Sequence, residues 1–371
     1  MFNKTLIGLA VMVYLIAAGC ALSVQPSAAN APAPAPEVVD TQAVPQPARP
    51  GVLPFCGCGM QIQRVDWIDR YEKCMDEVAA IGGDTVLLVV DARMEDGTSS
   101  KIYLDMRMTP TPDQLGMLID HAKSKKLRVI LMPIVLLDDP KGDEWRGTLK
   151  PENWDTWWES YRDMITHFSW IAEGHHVDVL VVGSELVSTE NKVDQWTQTI
   201  AAVRKVFHGM LTYSANWDHY TSVPFWNQLD LISTNSYYKL GEDRNVSLDE
   251  IKQRWQDIQR DLLGFTKKKH RPLLFTEVGW CSMANAADAP WDYTQESVPE
   301  DDALQKKLYQ GFFQSWWGNP SFGGFMIWEW SPGEGGRGDD DQRRGYTPKN
   351  KPAEQVLREW FGKPRWGVEG R

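Results

Sequence analysis

Eight apolar runs of strand length, separated by segments with helical spacing, most constrain the fold of this 371-residue chain. Strands of a parallel sheet that is covered on both faces have near-continuous apolar sequences, and these runs have that character. A strand followed by a helix, repeated eight times, predicts an α/β protein with a (β/α)8 barrel, a TIM barrel. The runs lie at residues 53–62, 84–92, 128–137, 177–186, 209–217, 229–237, 271–280 and 322–330.

The segments between the runs favour this barrel over a doubly wound sheet. Ile251, Trp255, Ile258 and Leu262 form one of several apolar stripes that would bury a helix face against a barrel. A doubly wound sheet would need a reversal of strand order, and neither a GxGxxG fingerprint nor a phosphate loop marks one. The fifth unit is the weakest, because residues 223–228 leave room for only a short helix.

The first residues of the chain are typical of a targeting segment. Lys4 precedes a short apolar stretch, and Ala17-Ala18-Gly19-Cys20 is similar to a bacterial lipobox. Residues 1–19 are therefore predicted to be a lipoprotein signal peptide, with a lipid on Cys20 that anchors the protein in the cell envelope. Ala21 after the cysteine favours the outer membrane, and ordinary secretion is the alternative.

A spacer and one large domain are predicted to follow. Residues 20–50 are rich in Pro and Ala and have neither a helical nor a strand period, so they predict a linker without packing contacts of its own. Residues 51–371 are long enough for one barrel with insertions. We expect this domain to be a monomer.

The charge of the chain limits its partners. A net charge of -11 argues against nucleic acid and against anionic membrane surfaces, because neither would be attracted to a negative field. A neutral substrate fits better. The chain has 18 tryptophans, whose broad faces stack well on sugar rings, although most of them could simply fill the core.

The remaining cysteines leave the disulfides open. Cys56, Cys58, Cys74 and Cys281 are an even number, which permits one or two disulfides in an oxidising envelope, with three full connectivities. Without a CxxC pair or suitably spaced histidines, no metal site is predicted, and nothing in the sequence requires a cofactor.

Two glutamates end buried strands and carry the expected chemistry. Glu185 closes the fourth strand run and Glu277 the seventh, and the C-terminal ends of barrel strands are where barrel enzymes place their active sites. Two carboxyl groups about 5 to 5.5 Å apart would serve a retaining glycosidase as acid and nucleophile. The alternative is that each glutamate only caps the helix that follows it.

Other residues near the strand ends could assist this pair. Tyr237 ends the sixth strand and could donate a hydrogen bond that keeps Glu277 ionised, or it could pack at the rim. Glu329 alternates to the opposite side from Trp328, so we expect only one of these two to take part. For each aromatic residue, packing is the alternative to sugar contact. The candidate substrate-binding residues are Asn216, Trp217, Asn235, Tyr237, Trp280, Trp328, Trp145 and Arg146, with Trp291 and Tyr293 as further outer contacts.

The chain resembles glycoside hydrolase family 113, retaining β-mannanase-like barrels of clan A, from about residue 54 to residue 361. The resemblance rests on VVGSELVST, YSANWD, LLFTEVGW, FMIWEWSPG and GYTPKNKPAEQVL, in unbroken order. It implies that Glu185 is the acid/base and Glu277 the nucleophile. It also implies that Asn216, Trp217, Tyr237 and Trp328 lie near the reacting sugar.

Three positions depart from that family pattern. Ser184 stands where much of clan A has an asparagine that contacts the sugar 2-hydroxyl, so that contact is lost or comes from another group. Met132 and Ile134 stand where the mannanase type tends to have a lysine and a histidine. The cleft is expected to be less polar there, which leaves the chemistry intact but admits a β-linked glycan other than mannan.

The sequence thus predicts a retaining glycoside hydrolase that cleaves a β-linked polysaccharide or oligosaccharide, with residues 51–371 as the catalytic domain. The rival hypothesis is an envelope barrel that binds glycan without cleaving it. The presence of both glutamates and Tyr237 argues against this rival. Endo and exo action stay open, because the loops around the cleft decide between them.

Overall fold

A closed barrel of eight parallel strands forms the centre of the molecule. The computed structural model describes residues 53–295, 297–333 and 343–368. The strands are β1 Phe55–Ile62, β2 Thr85–Met94, β3 Arg128–Leu137, β4 Val179–Ser184, β5 Met210–Ala215, β6 Ile232–Asn235, β7 Leu273–Val278 and β8 Phe322–Ile327. Each strand pairs with the next along the chain, and β8 returns to pair with β1. The predicted (β/α)8 barrel is therefore confirmed.

Helices cover the outside of the barrel. They are α1 Ile68–Ala80, α2 Pro112–Ser124, α3 Trp154–Gly174, α4 Val193–Arg204, α5 Leu248–Lys269, α6 Asp302–Trp316 and α7 Pro352–Phe361. The connection from β5 to β6, all of which the structure describes, has only the 3-10 turn Trp226–Gln228 in place of an α-helix. This confirms the expectation that the fifth unit has room for only a short helix.

Local sequence explains where two of these helices begin. The Thr111 side chain accepts a hydrogen bond from the backbone N–H of Gln114, while the Gln114 side chain accepts one from the backbone N–H of Thr111. Ser247 and Glu250 form the same reciprocal capping box at the start of α5. Each box satisfies two N–H groups that would otherwise lack partners at a helix start.

Apolar side chains fill the barrel interior, which leaves the ends of the strands for polar groups. Glycine is required at position 57 of β1, because a Cβ there would lie 1.7 Å from the backbone oxygen of Thr85 on β2. The interior is a packed core, as expected for a barrel of eight strands. Its buried members are Phe55, Leu87, Val89, Ile130, Met132, Ile134, Val179, Val181, Met210, Leu231, Leu274 and Met326.

The N-terminal predictions are not addressed by this structure. Residues 1–52 lie outside the described residues, so the signal peptide, the lipid on Cys20 and the linker stay predictions. In the part of the chain that the structure describes, no helix is both long and apolar enough to cross a bilayer.

The four cysteines of the barrel domain are free thiols. Cys56, Cys58, Cys74 and Cys281 are all buried and unpaired, so neither of the disulfides that their even number permits is formed. Burial raises the pKa of the Cys74 and Cys281 thiols to about 12, so both stay protonated at neutral pH.

Candidate active site

Two glutamates lie at the mouth of the barrel, at the C-terminal ends of β4 and β7. Glu185 directly follows β4, and Glu277 is the penultimate residue of β7. Both are almost buried, since Glu185 is 8% and Glu277 is 7% exposed. Besides burial, the Glu185 charge raises the pKa of Glu277, so the two carboxyl groups are near enough to interact electrostatically. The structure thus brings together the two glutamates that the sequence placed at one mouth.

The backbone of Glu185 has an unusual conformation. Its φ angle of 54° lies in the left-handed region, which costs a residue with a side chain roughly 1–2 kcal/mol. Its N–H still donates to the backbone oxygen of Ser214 on β5, at 2.9 Å. The chain therefore keeps its sheet pairing up to Glu185 and turns sharply there. Such outliers persist where the surrounding structure holds them, and they cluster at functional sites.

Tyr237 holds the carboxylate of Glu277. The tyrosine lies two residues beyond β6, and its hydroxyl donates to Glu277 Oε2 at 2.7 Å. Tyr237 is itself buried and packs against Tyr346, with ring centroids 5.8 Å apart. The predicted hydrogen bond between Tyr237 and Glu277 is therefore confirmed.

Arg146 and Asn235 hold the carboxylate of Glu185. The Arg146 guanidinium, from the loop after β3, forms an ion pair with Glu185 Oε2. The Asn235 amide, at the end of β6, donates to Glu185 Oε1. Arg146 was expected at an outer sugar subsite and Asn235 in contact with substrate. The structure places Arg146 directly on the glutamate and buries Asn235 completely, and contact of either residue with substrate stays a prediction.

A second set of contacts connects Asn235 to the loop after β5. Asn235 Nδ2 donates to Asn216 Oδ1 at 3.2 Å, and Asn235 Oδ1 accepts from the backbone N–H of Trp217 at 2.8 Å. The Trp217 ring stacks on Trp291, with centroids 5.9 Å apart and planes 16° from parallel. Asn216 and Trp217 are half-buried, and their predicted contact with the reacting sugar stays a prediction.

Trp328 follows β8 and lies against β1. Its ring edge is so close to Gly59 that a Cβ there would lie 3.1 Å from Trp328 Cε3. Trp328 is half-buried and packs beside the interior core, so part of the ring faces the mouth. The next residue, Glu329, is also near the glutamate pair, because its charge raises the pKa of Glu277. Burial raises the pKa of Glu329 itself to about 7.

Trp280 does not line the mouth, which corrects the expectation that it binds substrate. It is completely buried, and its ring packs edge-on against Tyr309 of α6, with centroids 5.1 Å apart. The reason is the alternation of a strand. Glu277 points inward, so Val278 and Trp280 point outward into the layer between barrel and helices.

The expected outer aromatic residues lie at the surface. Trp145, on the loop after β3, is 37% exposed, and its ring packs over Gly147. Trp291 and Tyr293, on the loop after β7, are 48% and 63% exposed. These three side chains are accessible to a ligand, and their contact with substrate stays a prediction.

Burial dominates the electrostatics of the glutamate pair. Burial and then the Glu185 charge raise the pKa of Glu277 to about 7, while Arg146 and the Tyr237 hydrogen bond act in the opposite direction. The sequence predicted that donors would keep Glu277 ionised. The donor, Tyr237, is present, but the hydrogen bond changes the pKa of Glu277 less than burial does. The pair therefore retains a proton up to about neutral pH.

A buried acidic group on β2 was missed in the sequence. Asp91 is completely buried and pairs with Arg93 at 2.6 Å, and Arg93 also pairs with Asp138 after β3 at 2.9 Å. The signal was present, because Asp91 and Arg93 interrupt the apolar run TVLLVVDARM near its end. This network fixes the ends of β2 and β3 beside the mouth.

In the ranges that the structure describes, no group of three or more His, Cys, Asp or Glu side chains is arranged to hold a metal ion. The sequence prediction that no cofactor is needed stays a prediction.

A (β/α)8 barrel with two buried glutamates at the ends of β4 and β7 defines a class of protein, the barrel glycoside hydrolases. The family model of glycoside hydrolase family 113 matches residues 58–351, which is most of the chain. The protein therefore belongs to glycoside hydrolase family 113 and is a glycoside hydrolase. No curated protein sequence matches it significantly.

Solved structures agree with this family. The complex structure of a family 113 β-1,4-mannanase is 25% identical with a TM-score of 0.75, and the match covers 84% of this chain and 99% of that one. The family 113 β-mannanase AaManA from Alicyclobacillus acidocaldarius, in complex with ManMIm, is 27% identical with a TM-score of 0.73, covering 83% and 97%. A β-glucuronidase from Ruminococcus gnavus shares only the fold, at 12% identity, a TM-score of 0.55 and half of its own length.

Proposed function

We propose that this glycoside hydrolase cleaves a β-mannan-like polysaccharide or oligosaccharide with retention of configuration, using Glu185 as acid/base and Glu277 as nucleophile. The observation that carries the proposal is the pair of buried glutamates at one barrel mouth, with Tyr237 donating to Glu277. The similarity to a β-1,4-mannanase and to a β-mannanase supports the choice of mannan.

The proposed reaction has two steps. Glu185 first gives its proton to the glycosidic oxygen while the Glu277 carboxylate attacks the anomeric carbon, so that the leaving sugar departs and a glycosyl ester forms on Glu277. Glu185, now ionised, then takes a proton from water, whose oxygen attacks the anomeric carbon and releases Glu277 as a carboxylate. Two inversions give net retention.

The first step needs the proton on Glu185 and the negative charge on Glu277. Tyr237 favours this distribution, because its hydroxyl stabilises the ionised form of Glu277. In the free protein the Arg146 guanidinium occupies Glu185 Oε2, on the carboxyl group that must reach the glycosidic oxygen. We therefore expect the Arg146 guanidinium to leave Glu185 when a glycan enters the mouth.

The aromatic residues are proposed to bind the sugar chain. Trp328, Asn216 and Trp217 border the mouth and would contact the reacting sugar. Trp145, Trp291 and Tyr293 are exposed on flanking loops and would stack on sugars further along the glycan.

One observation favours a second substrate class. Met132 and Ile134 of β3 are buried apolar residues of the barrel interior, where the mannanase type tends to be polar. A retaining glycosidase for another β-linked glycan is therefore the second candidate. Hydrolysis of a panel of defined β-linked oligosaccharides, followed by mass spectrometry, distinguishes the two.

Removal of either glutamate should nearly abolish turnover. Glu277→Ala removes the nucleophile, and Glu185→Ala removes the proton donor, so each should reduce kcat for the natural glycan by orders of magnitude. With a dinitrophenyl glycoside, whose leaving group needs no proton, Glu185→Ala should still form the ester. Azide should then accelerate its turnover and yield a β-glycosyl azide.

The matched control is Glu152→Gln, an exposed glutamate that precedes α3. It should keep the wild-type rate. All variants should keep the circular dichroism spectrum of the wild type. A near-wild-type rate in both Glu185→Ala and Glu277→Ala would refute the proposed roles.

Loss of Arg146 should shift the pH profile. Arg146 lowers the pKa of Glu277, so Arg146→Met should let the pair keep its proton to higher pH. The alkaline limb of kcat/KM, expected near pH 7 in the wild type, should move up by about one unit. Arg64→Met is the control, because Arg64 follows β1 but pairs with Asp66. An unchanged or lowered limb in Arg146→Met contradicts this account.

We also propose that a lipid on Cys20 anchors the enzyme in the cell envelope, on the outer membrane. The alternative is that the enzyme carries no lipid and is secreted. The lipobox-like Ala17-Ala18-Gly19-Cys20 supports this. After cell fractionation, the wild type should remain with the membranes and Cys20→Ser should move to the aqueous phase. Wild-type protein found only in the aqueous phase would defeat the proposal.

A further inference from the structure

A buried tyrosine and a buried glutamate lie directly behind Glu185. The backbone N–H of Leu186, the residue after Glu185, donates to Tyr213 Oη at 2.8 Å. Tyr213 Oη in turn donates to Glu190 Oε1 at 2.9 Å. Tyr213 is fully buried on β5, and Glu190 is buried on the loop after β4.

We infer that Tyr213 and Glu190 are positioning residues that hold the sharp backbone turn at Glu185 and so aim its carboxyl group at the glycosidic oxygen. The inference rests on the proposed function, in which Glu185 is the acid/base. Neither residue contacts the mouth, so each acts through Glu185.

The turn at Glu185 needs these side chains because the sheet provides no backbone acceptor beyond Glu185. The N–H of Glu185 pairs with Ser214 of β5, but the next N–H, on Leu186, has no strand oxygen and uses the tyrosine hydroxyl instead. The backbone oxygen of Leu186 accepts from Thr189 Oγ1 at 2.7 Å. The same oxygen also accepts from the Thr189 backbone N–H at 2.8 Å, so the Leu186 N–H depends on a side chain alone, immediately after a residue in the left-handed region.

The core fixes the tyrosine in place. The Tyr213 ring packs edge-on against Trp196 at 5.3 Å and against Phe225 at 5.4 Å between centroids. Trp196 Nε1 also donates to the backbone oxygen of Thr189 at 3.1 Å, which ties the same loop to α4. The hydroxyl position is thus set by rigid packing, as precise alignment of a catalytic group requires.

Glu190 completes the arrangement as an acceptor. Burial raises its pKa to about 7, while the Tyr213 hydrogen bond and the nearby His219 act in the opposite direction. His219 Nδ1 lies 3.8 Å from Glu190 Oε2. Because the tyrosine hydroxyl gives its one proton to Glu190, its lone pairs are directed to the Leu186 N–H. An oxygen acceptor at position 190, charged or neutral, is therefore what the geometry needs.

The test compares two aryl β-glycosides of the sugar that the wild type cleaves, one with a dinitrophenol and one with a phenol leaving group. Only the phenyl glycoside needs a proton from Glu185. Tyr213→Phe should lower kcat/KM for the phenyl glycoside by roughly 10- to 100-fold, and for the dinitrophenyl glycoside by less than about threefold. Glu190→Leu should act in the same direction, and Glu190→Gln, which keeps an acceptor oxygen, should restore most of the rate.

Tyr161→Phe is the matched control. Tyr161 is a buried tyrosine of the same aromatic cluster, and its hydroxyl donates to the backbone oxygen of Val182 on β4 at 2.7 Å, away from the turn. It should lower the melting temperature comparably but affect both glycosides equally. An equal effect of Tyr213→Phe on both glycosides would overturn the inference, since it would indicate a merely structural role.

Glu185→Ala distinguishes a failure of the positioning inference from a failure of the proposed acid/base role of Glu185. If it lowers the rate selectively for the phenyl glycoside but Tyr213→Phe does not, the positioning inference alone fails. If Glu185→Ala itself shows no selectivity, the proposed acid/base role of Glu185 fails.

Discussion

The rest of the site depends on one constraint, the electrostatic interaction between two carboxyl groups that are buried at the same mouth. Burial raises the pKa of Glu277, and the nearby charge of Glu185 adds to this. The barrel compensates each glutamate differently, with Arg146 and Asn235 on Glu185 and with Tyr237 on Glu277. A glycosidase needs two carboxyl groups in different states, and these unequal surroundings are what can separate them.

Closure of the barrel creates this proximity, and the layers around it maintain it. Glu185 and Glu277 are 92 positions apart, but parallel strands carry both to the same rim. Behind Glu185, the packing of Trp196 and Phe225 fixes Tyr213, whose hydroxyl reaches the backbone of the turn. The aromatic core between barrel and helices therefore contributes to the geometry of the site as well as to stability.

Much of this was predictable from sequence, and the failures have physical causes. Strand runs, the weak fifth unit and the bond from Tyr237 to Glu277 follow from hydrophobic pattern and strand order. Trp280 was misassigned because it lies only three positions after Glu277, yet this odd spacing along an extended strand turns its side chain outward, against Tyr309 of α6. The contact of Arg146 with Glu185 depends on how a loop folds back over the mouth, which local sequence does not specify.

The central claim is that the two glutamates act by double displacement, and the configuration of the first product tests it most directly. Proton NMR of a β-glycan digest, recorded before mutarotation is appreciable, reports the anomeric form released by the enzyme. The account predicts that the β-anomer appears first and then equilibrates with the α-anomer. Initial release of the α-anomer would mean a single inverting displacement and would contradict the account.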